Sequence, residues 1–262
     1  MTLIALTLIA AILTASPDAA PLAPQGDWTV HRIGGRCAVS RSYGGGLALI
    51  LRQRLDGGRV DIDLVGFKTP PIRTTPITAR IATLPDGRQI DGTLDALLTS
   101  SGPPIVEVLA MDDPLPDLGA VSTLAISIGR DVPIPLAIDQ QAAAQDMLRT
   151  CHDALIRSWG VDPAHFAPLN KGKVGGRFYG ASAYPADAAA KREQGRVSVL
   201  IEVSTAGRVD QCRVVESSAS PSLDQATCDI ARTKVIFTPA KDDAGEPKAI
   251  WTILKMNWVL PR

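Results

Sequence analysis

The chain has 262 residues, with 27 basic and 27 acidic side chains, 45% hydrophobic residues and only 4% aromatic residues. This length suits one large domain or two of ordinary size, and the apolar content excludes a disordered chain and a protein with many membrane spans. Because its net charge is zero, the chain lacks the overall excess of basic residues that is typical of a nucleic-acid-binding protein. Residues 171–262 are mildly cationic, with 14 basic and 10 acidic side chains, which suits an acidic protein or peptide partner.

The N-terminus has the pattern of an exported protein. Residues 3–15 are an uninterrupted run of Leu, Ile, Ala and Thr. This run has the length of a signal-peptide core and is shorter than the roughly 20 apolar residues of a membrane-spanning helix. Small residues and prolines follow it, so we expect a signal peptide over residues 1–23. Because no Lys or Arg precedes the run, a short uncleaved membrane anchor stays open as the alternative.

Residues 24–160 have the pattern of a β-rich domain closed by a helix. Short apolar or alternating runs at residues 47–51, 60–64, 105–109 and 124–128 are separated by Gly- and Pro-containing turns, which favours an antiparallel sheet or a small sandwich. Asp139 is a suitable N-cap for a closing helix, and Gly160 suits its C-terminal end. The apolar face of this helix is formed by Ala144, Met147, Leu148, Cys151, Leu155 and Trp159. Residues 161–171 contain Pro163, Pro168 and Lys171, lie between Gly160 and Gly172, and are predicted to be a linker.

The four cysteines are Cys37, Cys151, Cys212 and Cys228. None of them forms a C-x-x-C pair, so a zinc ribbon or a thioredoxin-like redox site lacks support. In an oxidising compartment the simplest pairing is one bridge in each domain, Cys37–Cys151 and Cys212–Cys228. Four buried thiols are the alternative.

Residues 172–262 form an α-β-β-α-β pattern. A short helix starts at Pro185, strands cover residues 196–203 and 209–215, and Ser220 followed by Pro221 begins a second helix. A long strand over residues 249–259 closes the domain. The predicted fold class is therefore α+β, with a β-rich domain closed by a helix and then this smaller domain.

Six short motifs in residues 172–262 together resemble the TonB C-terminal domain family. They are Tyr184-Pro185, Gly195-Arg196-Val197, Ala206-Gly207-Arg208-Val209, Ser217-Ser218, Leu223-Asp224 and Phe237-Thr238-Pro239-Ala240. The resemblance implies a domain in the periplasm of a Gram-negative bacterium that binds the plug or TonB-box segment of outer-membrane transporters, and so a part in TonB-dependent transmembrane transport. It also implies that a Cys212–Cys228 pair is a variant found among relatives.

In that family the last strand is the edge to which the partner peptide adds. The corresponding residues here are Ile250, Trp251, Thr252, Ile253, Leu254, Lys255, Met256, Asn257 and Trp258. An edge strand offers backbone N–H and C=O groups for pairing, and alternate side chains supply specificity. Alternatively, the N-terminal domain or a second copy of the chain in a homodimer covers this edge.

The N-terminus departs from that of family members that transduce energy. Residues 1–24 contain no His, and a folded domain replaces the long proline-rich spacer. We therefore expect an exported binding protein, with a membrane-anchored energy transducer as the alternative.

The sequence contains no catalytic motif that we identify. The three histidines, His31, His152 and His165, fit neither HExxH nor a paired arrangement on one helix, and no GxSxG occurs. Asp61 and Asp63 share one face of a predicted strand, which is ordinary for a solvated strand face. We therefore predict a protein that is not an enzyme, with no cofactor and no metal, and an enzyme is the least favoured alternative.

Overall fold

The computed structural model describes residues 20–33, 35–57, 60–66, 77–97, 105–110, 120–128, 133–168 and 183–260. It contains helices and antiparallel sheets, which confirms the predicted α+β class. The chain divides into two compact units, the first extending to residue 52 and over residues 60–148, the second over residues 53–59 and 149–262. The predicted signal peptide, apart from its last four residues, lies outside the described residues. Among the helices that are described, none is long and apolar enough to cross a membrane.

The first unit is built on a nine-stranded sheet whose order is β1-β2-β3-β4-β7-β6-β5-β8-β9. The strands are β1 (Gln25–Ile33), β2 (Arg36–Gly44), β3 (Leu47–Gln53), β4 (Val60–Val65), β5 (Ile77–Leu84), β6 (Gln89–Leu97), β7 (Ile105–Ala110), β8 (Thr123–Ile128) and β9 (Ile134–Ala137). The four apolar or alternating runs identified in the sequence are confirmed as strands β3, β4, β7 and β8.

This sheet curls so that the chain before β1 reaches β9 at the other end of the strand order. Leu22 forms a parallel bridge with Leu136, and its N–H donates to the Pro135 carbonyl at 2.8 Å. The Tyr43 hydroxyl on β2 donates to the Ala137 carbonyl on β9 at 2.8 Å. Such closure protects backbone groups that an open sheet would leave at its edges.

Asp61 and Asp63 on β4 are buried, with relative exposures of 5% and 2%. The prediction of a solvated strand face is therefore wrong. For Asp63 the reason is a partner on the neighbouring strand, because Arg52 Nη2 on β3 lies 3.1 Å from Asp63 Oδ1. A buried carboxylate of this kind is tolerated when a cation and hydrogen bonds compensate it.

Helix α1 (Gln141–Ser158) contributes residues to both units. Ala144, Leu148 and Leu155 are buried on the predicted face. Gly160 has a φ of +73°, the left-handed conformation that commonly ends a helix. The predicted helix is thus confirmed.

The second unit contains a three-stranded sheet in the order β11-β10-β14. Its elements are α2 (Ala186–Ala190), β10 (Gly195–Val203), β11 (Val209–Glu216), α3 (Pro221–Lys234), β12 (Ala240–Lys241), β13 (Pro247–Lys248) and β14 (Ile250–Trp258). Ser220 caps α3 as predicted, and its side chain accepts a hydrogen bond from the Leu223 N–H. The order α-β-β-α-β is therefore present, with the small β12–β13 hairpin inserted before the last strand.

Both faces of this three-stranded sheet are covered. One face packs against α2 and α3, where Leu223, Leu254 and Trp258 belong to one buried cluster. On the other face Leu200 and Ile253 pack in a second cluster with residues from α1 and the turn after β3. The members of this second cluster are Leu55, Leu155, Ile156, Val161, Leu200 and Ile253.

Residues 161–168 belong to this packed region, so the prediction of a linker is wrong for them. Val161 is 5% exposed, and Phe166 packs against the second cluster. These apolar side chains cover a sheet face that would otherwise meet water, which the two prolines of the segment do not reveal. Residues 169–171 lie outside the described residues.

All four cysteines lie in described segments, and none of them is a free thiol. Cys212 on β11 is bonded to Cys228 on α3, with their Cα atoms 5.7 Å apart. Cys37 and Cys151 are also disulfide-bonded. That these two pair with each other stays a prediction.

Candidate functional site

Strand β14 is the edge of its sheet. It pairs along its whole length with β10, from Ile250 opposite Val203 to Trp258 opposite Gly195. No further strand lies beyond β14 in the described order, which places its other side at the border of the sheet.

The first contact on that outer side shows which backbone groups face outwards. The Ala167 N–H donates to the Trp251 carbonyl at 3.0 Å, within an isolated parallel bridge between Phe166 and Trp251. Because backbone direction alternates along a strand, Ile253 and Asn257 also point their N–H and C=O groups outwards. The N–H and C=O groups of Leu254 and Met256 point towards β10 instead.

Most side chains of β14 belong to the interior of the unit. Ile250, Leu254, Met256 and Trp258 lie in the cluster beneath α3, and the buried Thr252 hydroxyl has no hydrogen-bond partner among the residues that the structure describes. On the opposite face Ile253 is 3% exposed, whereas Asn257 is exposed. Recognition at this edge would therefore rely on main-chain groups, because few of its side chains are accessible.

Lys255 is the charged residue of the edge. It is half-buried, and its Nζ lies 4.0 Å from Asp56 Oδ2 in the turn after β3. At this distance and exposure, the ion pair contributes little to stability but keeps a cation beside the edge.

The motif residue Tyr184 lies at the C-terminal end of β14. Its ring packs edge-on against Trp258 with the ring centroids 5.3 Å apart, and its hydroxyl donates to the Glu193 carbonyl. Pro185 is the N-cap residue of α2. This motif therefore supports the end of the edge strand from within the fold.

The remaining motif residues fix the turns and helix ends of the second unit. Gly207 has a φ of +76°, and a Cβ there would lie 2.0 Å from the Phe237 carbonyl oxygen. Asp224 accepts from the Ser218 N–H at 2.9 Å, and a Cβ at Gly195 would meet the Ser218 Cβ at 2.9 Å. Leu223 is fully buried, and Pro239 approaches the space beside Gly207. These residues shape the fold and, among the described contacts, do not lie on the outer side of β14.

Sequence reasoning missed the contribution of Phe166 and Ala167. Phe166 packs edge-on against the buried ring of His152, with centroids 5.6 Å apart, and His152 Nε2 donates to the Leu55 carbonyl at 3.1 Å. A signal was present, since Phe166 is a large aromatic residue in a segment otherwise typical of a linker.

The histidines lie in separate places. His31 contacts the Ser40 hydroxyl at 2.7 Å on the surface, His152 is buried, and His165 ends a short 3₁₀ turn. In the ranges that the structure describes, no group of three or more His, Cys, Asp and Glu side chains is arranged to hold a metal ion.

Comparison with known proteins agrees with the motifs. The family model described as Gram-negative bacterial TonB protein C-terminal matches residues 181–260. No curated protein was found to match the chain. The domains of this family are non-enzymatic and are associated with transport. The predicted resemblance is thereby confirmed, and residues 181–260 are similar to the TonB C-terminal domain family.

Proposed function

We propose that this chain is a periplasmic TonB-like protein that binds an extended segment of a TonB-dependent outer-membrane transporter by strand addition to β14. The observation that carries the proposal is the outward backbone of Ile253 and Asn257. Within the described residues, neither has a hydrogen-bond partner on this side. A peptide strand would satisfy these groups with main-chain hydrogen bonds, as in other cases of β-strand addition.

Charge supports a peptide with acidic residues as the partner. Residues 171–262 carry 14 basic and 10 acidic side chains, and Lys255 places one of the cations on the edge strand itself. A carboxylate on the added strand opposite Lys255 would form a favourable cross-strand pair. We therefore expect affinity to fall as the salt concentration rises.

The decisive variant removes one backbone N–H donor on the outer side of β14 and leaves the hydrogen bonds between β14 and β10 unchanged. Asn257→Pro removes an N–H that points away from β10, and the side chain at this position is exposed. Proline is tolerated on the outer side of an edge strand but blocks pairing there. Asn257→Ala is the matched control, because it keeps the N–H and removes the same side chain.

The measurement is the affinity of the full-length protein for a synthetic TonB-box peptide of a transporter from the same bacterium. We expect Asn257→Pro to weaken binding on the order of tenfold or more and Asn257→Ala to change it by less than about threefold. Circular dichroism and the thermal midpoint must match wild type in both variants. A folded Asn257→Pro variant with full affinity would contradict strand addition at β14.

The proposed compartment is tested by the mature N-terminus. A signal peptide predicts that the exported protein begins between Ser16 and Pro24, which mass spectrometry of the periplasmic fraction measures. Retention of Met1 together with recovery in the membrane fraction would instead support the anchored energy transducer.

A further inference from the structure

We propose that Phe166 and Ala167 act as a stop at the start of the β14 edge, so that a partner strand pairs only beyond Trp251. This inference rests on the proposed function, since it concerns the register of the strand that β14 accepts. The Ala167 N–H already occupies the Trp251 carbonyl at 3.0 Å. A strand that extended further towards Ile250 would have to displace this segment.

The stop is held in place by more than one hydrogen bond. Asp162 caps the preceding 3₁₀ turn by accepting from the Ala164 N–H at 3.0 Å, and the Phe166 N–H donates to the Pro163 carbonyl at 3.1 Å. The Phe166 ring contacts His152 of α1 and packs on the second cluster. Displacing Ala167 would therefore also expose apolar surface, which favours a fixed stop.

The position of the stop defines the length of the added strand. The outward residues beyond Trp251 begin at Ile253 and end at Asn257. At about 3.3 Å per residue this stretch is roughly 17 Å long and accommodates about five residues of a partner. The partner is thus a short extended segment, and its register is set by the first free position after the stop.

Ala167→Pro is a specific way to weaken the stop. It deletes the N–H that bonds to Trp251, and the preceding residue Phe166 already has the extended conformation that a following proline requires, with φ −102° and ψ 132°. Ala167→Gly is the matched control, because it keeps this N–H.

The test is amide hydrogen exchange of the full chain, followed by NMR, with and without the same TonB-box peptide. In wild type, the peptide should slow exchange at Ile253 and Asn257 and leave the protection of Ala167 unchanged. In Ala167→Pro, the protected stretch should extend to Trp251, and affinity should rise on the order of threefold, since one more main-chain pair is available. Ala167→Gly should behave as wild type.

Three results would overturn this inference. Loss of Ala167 protection on binding to wild type would mean that the peptide displaces the segment. An unchanged footprint and affinity in a folded Ala167→Pro variant would mean that the hydrogen bond from Ala167 to Trp251 does not limit the length of the added strand. If, without peptide, the Asn257 amide became more protected from exchange as the protein concentration rose, a second copy of the chain would be the partner that pairs with β14. Binding without any protection on β14 would instead contradict the proposed function itself.

Discussion

Gly207 and Phe237 pack backbone against backbone, with the Phe237 N–H donating to the Gly207 carbonyl at 2.8 Å. A Cβ at Gly207 would lie 2.0 Å from the Phe237 carbonyl oxygen, and φ at Gly207 is +76°. We predict that Gly207→Ala lowers the free energy of unfolding by at least about 2 kcal/mol, from left-handed backbone strain plus the clash. Urea denaturation measures this loss.

Gly245→Ala is the matched control for this prediction. Gly245 has a φ of +84°, but no atom in the described part of the chain lies within 4 Å of a Cβ built there. Gly245→Ala should therefore lower the free energy of unfolding only by the cost of left-handed backbone strain, about 1–2 kcal/mol. Equal losses of stability in the two variants would show that the close contact between Gly207 and Phe237 does not exclude a Cβ at Gly207.

The buried hydroxyl of Thr227 supports the C-terminal end of β14. Trp258 Nε1 donates to Thr227 Oγ1 at 2.9 Å, and this hydroxyl donates to the Leu223 carbonyl at 2.8 Å. Thr227→Val keeps the shape but leaves the indole N–H unsatisfied, so we expect a loss of about 1–3 kcal/mol in the free energy of unfolding. Thr227→Ser, which keeps the hydroxyl, should lose less, and the reverse ranking would refute this explanation.

The Cys212–Cys228 bridge closes a loop with a sequence separation of 16 residues. Cys228→Ser should lower the free energy of unfolding by about 2–5 kcal/mol, mainly because the unfolded chain gains conformational freedom. Urea denaturation of the variant beside wild type measures this loss.

Peptide mapping without reductant gives the disulfide pairing directly and is expected to find Cys37 joined to Cys151. Peptides that join Cys37 to Cys212 or Cys228 would disprove the scheme.

Burial raises the pKa of the Tyr43 phenol from 10.0 to about 12, with Arg41 opposing and Asp139 adding to the shift. Because the folded protein then holds this proton more tightly than the unfolded chain, the contribution to stability is complete below pH 10 and is lost as the pH approaches 12. The loss is at most about 3 kcal/mol. Tyrosinate absorbance of wild type minus that of Tyr43→Phe should titrate near pH 12, and a midpoint near 10 would contradict the burial effect.

Local patterns were sufficient for the elements that form the edge. Ser220 and Pro221 predicted the start of α3, and the strand predicted over residues 249–259 matches β14 (Ile250–Trp258) to within one residue at each end. These signals are local because capping and strand alternation depend on neighbouring residues in the chain.

The surroundings of the edge could not be derived in this way. Asp63 is buried because Arg52 lies on the adjacent strand, and Ala167 reaches Trp251 across more than 80 positions of sequence. Both contacts depend on tertiary packing, which periodicity does not encode. The same reason explains why residues 161–168 were predicted to be a linker.

The most direct measurement of the central claim is an isotope-filtered NOE experiment on the full chain with labelled protein and an unlabelled TonB-box peptide. Strand addition predicts NOEs from peptide Hα and amide protons to the amide protons of Ile253 and Asn257, in the alternating pattern of paired strands. Binding with peptide NOEs confined to residues of β1–β9, and none to β14, would contradict it.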